Sequence, residues 1–133
     1  MPERPIQRPL RVGLTGGIGA GKSEALRAFS RAGAWTLPLD EVSRRLSRRG
    51  GPVYRAIFRA FGRGVLRADG SLDRVKLASM AFSSPALRRR LDRAAHPPIL
   101  REMRRRLRAC RRPVAVVDVP LLFEAGLAGD FDA

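Results

Sequence analysis

The sequence is poor in cysteine, in aromatic residues and in long apolar runs. Cys110 is its single cysteine, so no disulfide can form within the chain, and no cluster of cysteine and histidine indicates a metal site. The apolar stretches 114–117 and 119–123 fall far short of the roughly 18–20 residues that a membrane helix needs. Residues 1–9 contain three prolines and no apolar core of the signal-peptide kind. These absences predict a soluble, cytoplasmic protein.

Acidic residues are also scarce beside the basic ones. The 133 residues include 27 Lys or Arg and 12 Asp or Glu, which gives a formal net charge of +15. Lysine occurs only at Lys22 and Lys76, and arginine is scattered over every predicted helix. A basic nucleic-acid-binding module is one interpretation of this charge. Arginine on solvated helix faces is the interpretation that we favour, because aromatic residues do not interleave with the arginines as a base-stacking surface requires.

The hydrophobic pattern predicts one α/β domain, since 44% hydrophobic residues suffice for a core. The predicted order is strand, helix, strand, helical insert, strand, with strands at 10–15, 34–39 and 114–119. A helix is expected from Lys22 and another over 41–48. The helical insert spans about 52–112, and within it His96-Pro97-Pro98 is expected to break a helix that resumes at Ile99. Residues 1–9 are expected to form a loose leader to a domain at 10–133.

A glycine-rich segment between the first predicted strand and helix carries the strongest functional signal. It matches the phosphate-binding pattern G-x-x-x-x-G-K-[ST] through Gly16, Gly17, Ile18, Gly19, Ala20, Gly21, Lys22 and Ser23. The glycines allow backbone N–H groups to converge on phosphate oxygens, and the helix that follows directs its positive end to the same place. Lys22 is then predicted to contact the β/γ-phosphates of a nucleotide, and the Ser23 hydroxyl to bind Mg²⁺.

Two carboxylates are candidates for the rest of the site. Asp118 directly follows the apolar run 114–117. It is either a second Mg²⁺ ligand or a polar residue that marks the end of the strand. Asp40 follows the second strand, so in a parallel sheet it emerges at the same edge as the phosphate-binding loop. There it could accept a proton from an acceptor hydroxyl. Alternatively, it caps the helix that follows.

Together these residues resemble the dephospho-CoA kinase family. The loop with Thr15 before it looks like the opening of that family, and Asp40 followed by Arg44 is similar to its Asp-Ala-Asp-x-Ile-Ala-Arg segment. Further matches are Phe61-Gly62, Val65-Leu66, Asp69-Gly70, Leu72-Asp73-Arg74, His96-Pro97-x-Ile99 and Asp118-Val119-Pro120-Leu121-Leu122-Phe123-Glu124. The resemblance covers nearly all of residues 10–132.

The resemblance implies a P-loop NTPase-like parallel sheet with a helical substrate-binding insert. It also implies transfer of the ATP γ-phosphoryl group to the ribose 3′-hydroxyl of dephospho-CoA, with ATP and Mg²⁺ as cofactors and no specific nucleic acid or membrane as partner. Asp40 and Lys22 are then the catalytic candidates. Further candidates, for acceptor contacts, are Arg44, His96, Leu122 and Glu124. For Arg44, His96 and Glu124 a purely structural role is the alternative.

The chain departs from the family pattern at two places and in length. Pro38 stands where the family has its first aspartate, and Glu24 stands in the loop segment where the family has threonine, which brings a negative charge near bound phosphates. Family members are longer, and three predicted strands are fewer than open α/β sheets usually have. The sequence therefore predicts a fragment that lacks the C-terminal strands, the arginine-bearing lid and much of the adenine pocket, and that is poorly stable and nearly inactive alone.

Two other functions remain as alternatives to this kinase. They are another small-molecule P-loop kinase and a nucleic-acid-binding module with a vestigial loop. A GTPase is disfavoured, because the sequence has no Asn-Lys-x-Asp motif.

Overall fold

A computed structural model describes residues 8–16, 21–120 and 127–133. The strands are β1 (Leu10–Leu14), β2 (Trp35–Pro38) and β3 (Val114–Asp118). The helices are α1 (Lys22–Arg31), α2 (Leu39–Leu46), α3 (Pro52–Phe61), α4 (Arg74–Ser83) and α5 (Pro85–Ala109). Short 3-10 turns occupy Gly62–Val65 and Ala128–Asp130. Within the described ranges, no helix has the length and apolar character that crossing a membrane demands.

The chain divides into two compact units. A sheet unit comprises Met1–Asp40 with Met103–Ala133, and a helical unit comprises Glu41–Glu102. The boundaries fall inside α2 and α5, so both helices contribute to both units. The helical unit overlaps the predicted helical insert of about 52–112 but begins earlier, at Glu41, and ends earlier, at Glu102.

The three strands form a parallel sheet in the order β1-β3-β2. In the register, Leu14 of β1 and Pro38 of β2 both lie opposite Asp118 of β3. Ala115, Val116 and Val117 have no exposed surface, as expected for a parallel strand covered on both faces. The predicted α/β class and its three parallel strands are thus confirmed, and β3, the last strand of the described residues, is the central one.

On the edge of β1 that does not pair with β3, residues 132 and 133 form hydrogen bonds with the strand backbone. The Asp132 N–H donates to the Arg11 carbonyl at 2.7 Å, and the Gly13 N–H donates to the Ala133 carbonyl at 3.0 Å. A Cβ on Gly13 would come within 2.8 Å of the Phe131 ring, so this position has room only for glycine while the ring stays in place.

In the helical unit, two side chains donate hydrogen bonds to the backbone of the turn at Asp69-Gly70. The Tyr54 hydroxyl on α3 donates to the Gly70 carbonyl at 2.6 Å, and Arg49 donates to the Asp69 carbonyl at 3.0 Å. Directly after this turn, the Asp73 side chain accepts from the Lys76 N–H at 3.1 Å and so caps α4.

The expected break at His96-Pro97-Pro98 is wrong. Both prolines lie inside α5, which runs without interruption from Pro85 to Ala109. Ile99, which follows them, is 1% exposed, so burial of the apolar face outweighs the local preference of proline to end a helix.

Candidate functional site

The phosphate-binding segment joins β1 to α1, as predicted. Gly21 adopts the left-handed conformation (φ 75°, ψ 16°), and its carbonyl accepts the Ala25 N–H at 3.0 Å to begin the helix. Only glycine takes this conformation at little cost, which explains the glycine before Lys22. The convergence of N–H groups that we predict for Gly17, Ile18, Gly19 and Ala20 concerns residues outside the described part of the chain.

Lys22, Ser23 and Glu24 form the first turn of α1. Ser23 and Glu24 are exposed, whereas Lys22 is about one-fifth exposed. A carboxylate in the first turn interacts favourably with the positive end of the helix. The departure from the family at Glu24 is therefore compatible with a stable helix start.

Lys22 forms an ion pair with Asp118, and this contact brings two predicted site residues together. Lys22 Nζ lies 2.8 Å from Asp118 Oδ1, and the two side chains are 21% and 19% exposed. The pair exists because β3 lies directly beside β1, so the end of β3 faces the start of α1. The sequence predicts both residues as ligands of a nucleotide complex, but not their direct contact.

Asp118 also has the properties of a metal ligand. Its Oδ1 atom is buried, and among the described residues it meets Lys22 without accepting a hydrogen bond of normal geometry. A buried carboxylate oxygen with unused lone pairs at the open end of a sheet suits Mg²⁺, which binds one or two carboxylates and takes its other ligands from phosphates and water. The described residues hold no group of three or more acidic, histidine or cysteine side chains that could enclose a metal by themselves.

Asp40 lies two residues beyond the end of β2, at the same edge of the sheet as Asp118. This is the placement that the sequence predicts. The expectation that Asp40 precedes its helix is wrong, because α2 already begins at Leu39 and Asp40 lies in its first turn. The carboxylate is exposed and makes no hydrogen bond with the described residues, so the capping alternative finds no contact to support it.

The remaining predicted residues lie in the helical unit or outside the described ranges. Arg44 is exposed on α2, one helical turn after Asp40. His96 on α5 places Nε2 3.4 Å from Asp92 Oδ1. Partial burial lowers the pKa of His96, Asp92 opposes this effect and Arg88 adds to it, so the neutral imidazole prevails near pH 7. Leu122 and Glu124 fall outside the described residues.

The sheet unit contains a bidentate ion pair between Arg104 and Asp130 that the sequence does not predict. Arg104 on α5 donates from Nε to Asp130 Oδ1 at 2.9 Å and from Nη2 to Oδ2 at 3.0 Å. These hydrogen bonds lower the pKa of Asp130 and raise that of Arg104. Residues 26 apart with no shared motif offer no sequence signal for such a contact.

A pocket of about 460 Å³ in the sheet unit is lined by residues that follow the ends of β1 and β3. Thr15, which precedes the phosphate-binding segment, and Val119, which follows Asp118, both line it. The other described residues that line it are Gly13, Leu127, Phe131, Asp132 and Ala133.

A parallel sheet with a glycine segment and Lys-Ser between its first strand and helix, and a carboxylate on the adjacent central strand, defines the class of P-loop nucleotide-binding proteins. Comparisons narrow this class. The family model for dephospho-CoA kinase matches residues 10–133. The chain belongs to the dephospho-CoA kinase family.

Individual relatives agree with this assignment. The chain is 45% identical to the dephospho-CoA kinase of Chromobacterium violaceum over 114 residues, which are 86% of this chain and 56% of the relative. It is 44% identical over 117 residues to that of Methylococcus capsulatus, covering 88% and 59%. The chain therefore spans little more than half the length of these curated relatives.

Solved structures share the fold. The crystal structure of TT1252 from Thermus thermophilus superposes with a TM-score of 0.79 and 31% identity, over 95% of this chain and 63% of that one. Dephospho-CoA kinase from Campylobacter jejuni gives a TM-score of 0.66 at 21% identity, over 87% and 59%. The second likeness supports the fold alone.

Proposed function

We propose that the protein phosphorylates the ribose 3′-hydroxyl of dephospho-CoA with ATP, in the cytoplasm. The observation that carries the proposal is the meeting of three predicted residues at one edge of the sheet. Lys22 and Asp118 are in contact there, and Asp40 follows the strand next to Asp118. A lysine for phosphate, a carboxylate for Mg²⁺ and an exposed carboxylate for the acceptor are the groups that such a transfer needs.

Each residue has a defined part in this proposal. Lys22 neutralises charge on the transferring phosphoryl group, while the backbone of the segment from Gly16 to Gly21 binds the phosphates. Asp40 orients the 3′-hydroxyl and accepts its proton, for which its exposure leaves it accessible. Arg44 and His96 in the helical unit, with Leu122 and Glu124, are proposed acceptor contacts.

Mg²⁺ would bind to Ser23 and Asp118 and would supply neutralisation of the phosphate charge. The exposed Ser23 hydroxyl and the buried Asp118 oxygen without a hydrogen bond fit that cation. Positioning of the reactants and neutralisation of this kind supply most of the catalysis in an in-line phosphoryl transfer.

The direct test is a substrate screen with the longest available gene product that contains this chain, ATP and Mg²⁺, in which product is separated by chromatography. We expect dephospho-CoA to be the acceptor that gains phosphate, and pantetheine phosphate or adenosine, which each represent one part of it, to be poor acceptors. Transfer to another small hydroxyl compound with none to dephospho-CoA would indicate a different small-molecule kinase.

Binding to random DNA provides the discriminating control. We expect weak binding that vanishes at physiological salt, because the positive charge is scattered. Tight DNA binding without phosphoryl transfer would instead favour a nucleic-acid-binding module and would contradict the proposal.

A further inference from the structure

Helix α4 in the helical unit has an exposed stripe of apolar and small side chains. Val75, Ala78, Ser79 and Phe82 follow helical spacing and therefore share one face of the helix. All four are exposed, Val75 by 74% and Phe82 by 96%, the two highest values among the exposed large hydrophobic residues of the described ranges. Leu77, the buried residue of α4, lies on the opposite face. The helix thus packs through one face and leaves the stripe in solvent.

The stripe lies in a part of the sequence without charge. Residues 77–87 contain no Asp, Glu, Lys or Arg, and they form the longest uncharged stretch of a sequence in which 29% of the residues are charged. Within α4, charge is confined to Arg74 and Lys76 near its start, and Lys76 Nζ donates to the Gly64 carbonyl. An acidic partner would therefore find little to attract it along this helix.

We propose that the stripe is the interface through which two copies of this chain associate. Each copy carries a net charge of +15, so two copies repel one another wherever their charged surfaces meet. Repulsion is smallest where both surfaces are neutral, and removal of apolar side chains from water favours contact there. A second copy brings the same neutral stripe and is therefore the partner that this surface accepts best.

The spacing of the stripe fits a pair of helices related by a two-fold axis. When two copies of α4 run antiparallel about an axis between Ala78 and Ser79, Val75 of one copy faces Phe82 of the other. Ala78 of one copy then faces Ser79 of the other. The small side chains at the centre allow the helix axes to approach, and the larger ones close both ends. The stripe is thus complementary to itself.

The size of the stripe predicts a weak dimer. The Phe82 side chain offers on the order of 200 Å², and the whole stripe stays below the ~800 Å² per partner of a standard stable interface. We therefore expect a dissociation constant of roughly 10 to 1,000 µM, so that the protein is monomeric when dilute and dimeric when concentrated.

Sedimentation equilibrium measures this association with the longest available gene product that contains this chain. We expect a monomer–dimer equilibrium whose association constant rises several-fold when NaCl increases from about 0.05 M to 0.3 M, because salt screens the repulsion between the copies. Phe82→Ser should weaken the association without lowering thermal stability, because this side chain is 96% exposed.

A matched pair of variants separates the stripe from the total charge. Ser79→Arg should weaken association at least about tenfold, because it places like charges opposite one another at the axis. Ala68→Arg adds the same charge at an exposed position in the turn that precedes α4, and it should change the association little.

Cross-linking tests the geometry of the pair. Cys110, the single cysteine of the sequence, is buried. Ser79→Cys replaces one oxygen by sulfur close to the axis, so its thiol should form a disulfide with the same thiol of a second copy when oxidised glutathione is the oxidant. Ala68→Cys, exposed but outside the stripe, should form this link much more slowly.

Several results would overturn the proposal. They are a monomer at every concentration and salt, an association that weakens with NaCl, and an association of unchanged strength in both Ser79→Arg and Phe82→Ser. A trimer or larger oligomer would also contradict it, because a two-fold interface closes at two copies. Equally fast cross-linking of Ala68→Cys and Ser79→Cys would exclude the antiparallel pairing. These measurements do not involve phosphoryl transfer, so they remain independent of the proposed function.

Discussion

At the scale of single residues, the site depends on charges that solvent screens incompletely. Lys22 and Asp118 sit at the junction of two strands and a helix start, where each is mostly covered. Asp40 at the same edge is exposed. Substitutions at Lys22 and Asp118 should therefore alter ligand affinity strongly, whereas a substitution at Asp40 should alter chemistry without affecting the fold.

Lys22→Ala should weaken Mg·ATP binding by about 10- to 100-fold, the loss expected for one hydrogen bond to a charged group. Calorimetry on the full chain measures this change, and circular dichroism should show an unaltered fold. Turnover should fall further, because in the proposed mechanism this lysine interacts most strongly with the transferring phosphoryl group. A Lys22→Ala variant with wild-type affinity and turnover would exclude this lysine from the phosphate site.

Asp40→Asn should reduce phosphorylation of dephospho-CoA by about 10²- to 10⁴-fold, the usual contribution of a general base. Stability and ATP affinity should stay near the wild-type values, because the carboxylate makes no hydrogen bond with the described residues. Initial rates at saturating ATP, measured with the longest available gene product that contains this chain, and thermal melts measure the two quantities. Lower stability with intact turnover would instead assign Asp40 a structural role in α2.

The Arg104–Asp130 pair should make stability depend on pH. Hydrogen bonds from Arg104 hold the pKa of Asp130 below its ordinary value, so its contribution is complete above the unfolded pKa of about 3.9 and is lost as pH falls through the lower folded pKa. Asp130→Asn should cost about 1 kcal/mol at pH 7 and progressively less below about pH 4. Urea denaturation across this range measures the difference, and Arg104→Gln should give the same loss without adding to it.

At the scale of secondary-structure elements, local signals predict some elements well and fail for others. The signals for β1 and α1 are local, so the sequence predicts both elements closely. The ends of α2 and the continuity of α5 depend on burial of Leu39 and Ile99, which are 0% and 1% exposed. Asp40 predicts a later start for α2, and Pro97 and Pro98 predict a break in α5, because both signals reflect local preferences of the chain. Packing of the buried side chains overrides these preferences.

Pro97→Ala should stabilise the protein by about 1 kcal/mol. Alanine restores an N–H that can donate to the carbonyl of Arg93 within α5, and this gain exceeds the loss of rigidity in the unfolded chain. Pro85→Ala is the matched control, because proline at the first position of a helix costs no hydrogen bond there. If Pro97→Ala destabilises the protein in urea denaturation and the control does not, the proline geometry itself is required for packing of α5.

The contact between Lys22 and Asp118 marks the limit of prediction from sequence at this scale. The residues are 96 positions apart, and their meeting depends on β3 inserting between β1 and β2. Strand order is a property of the whole sheet, which no local pattern encodes. The sequence motifs therefore identify Lys22 and Asp118 as candidate site residues. The structure is needed to show that their side chains are in contact.

At the scale of the whole molecule, the dominant feature is the charge of +15. Ion pairs such as Arg8–Asp132 and Arg88–Asp92 are exposed and separated by 3.5 and 3.9 Å, so they offset little of the repulsion. Arginines without acidic partners repel one another over about 10 Å at 0.1 M salt. A compact chain of this composition should be less stable at low ionic strength than at high ionic strength.

The midpoint of thermal unfolding should therefore rise by several degrees when NaCl increases from about 0.02 M to 0.3 M, where the screening length falls from over 20 Å to about 6 Å. Sodium phosphate at equal ionic strength should raise it further if Lys22 belongs to a phosphate site as we propose, because ligand binding to the folded state adds stability. Lys22→Ala separates the two effects: it should lose the additional rise with phosphate and keep the rise with NaCl. A midpoint that falls with NaCl would mean that attractive ion pairs outweigh the repulsion, and the net charge would then not govern stability.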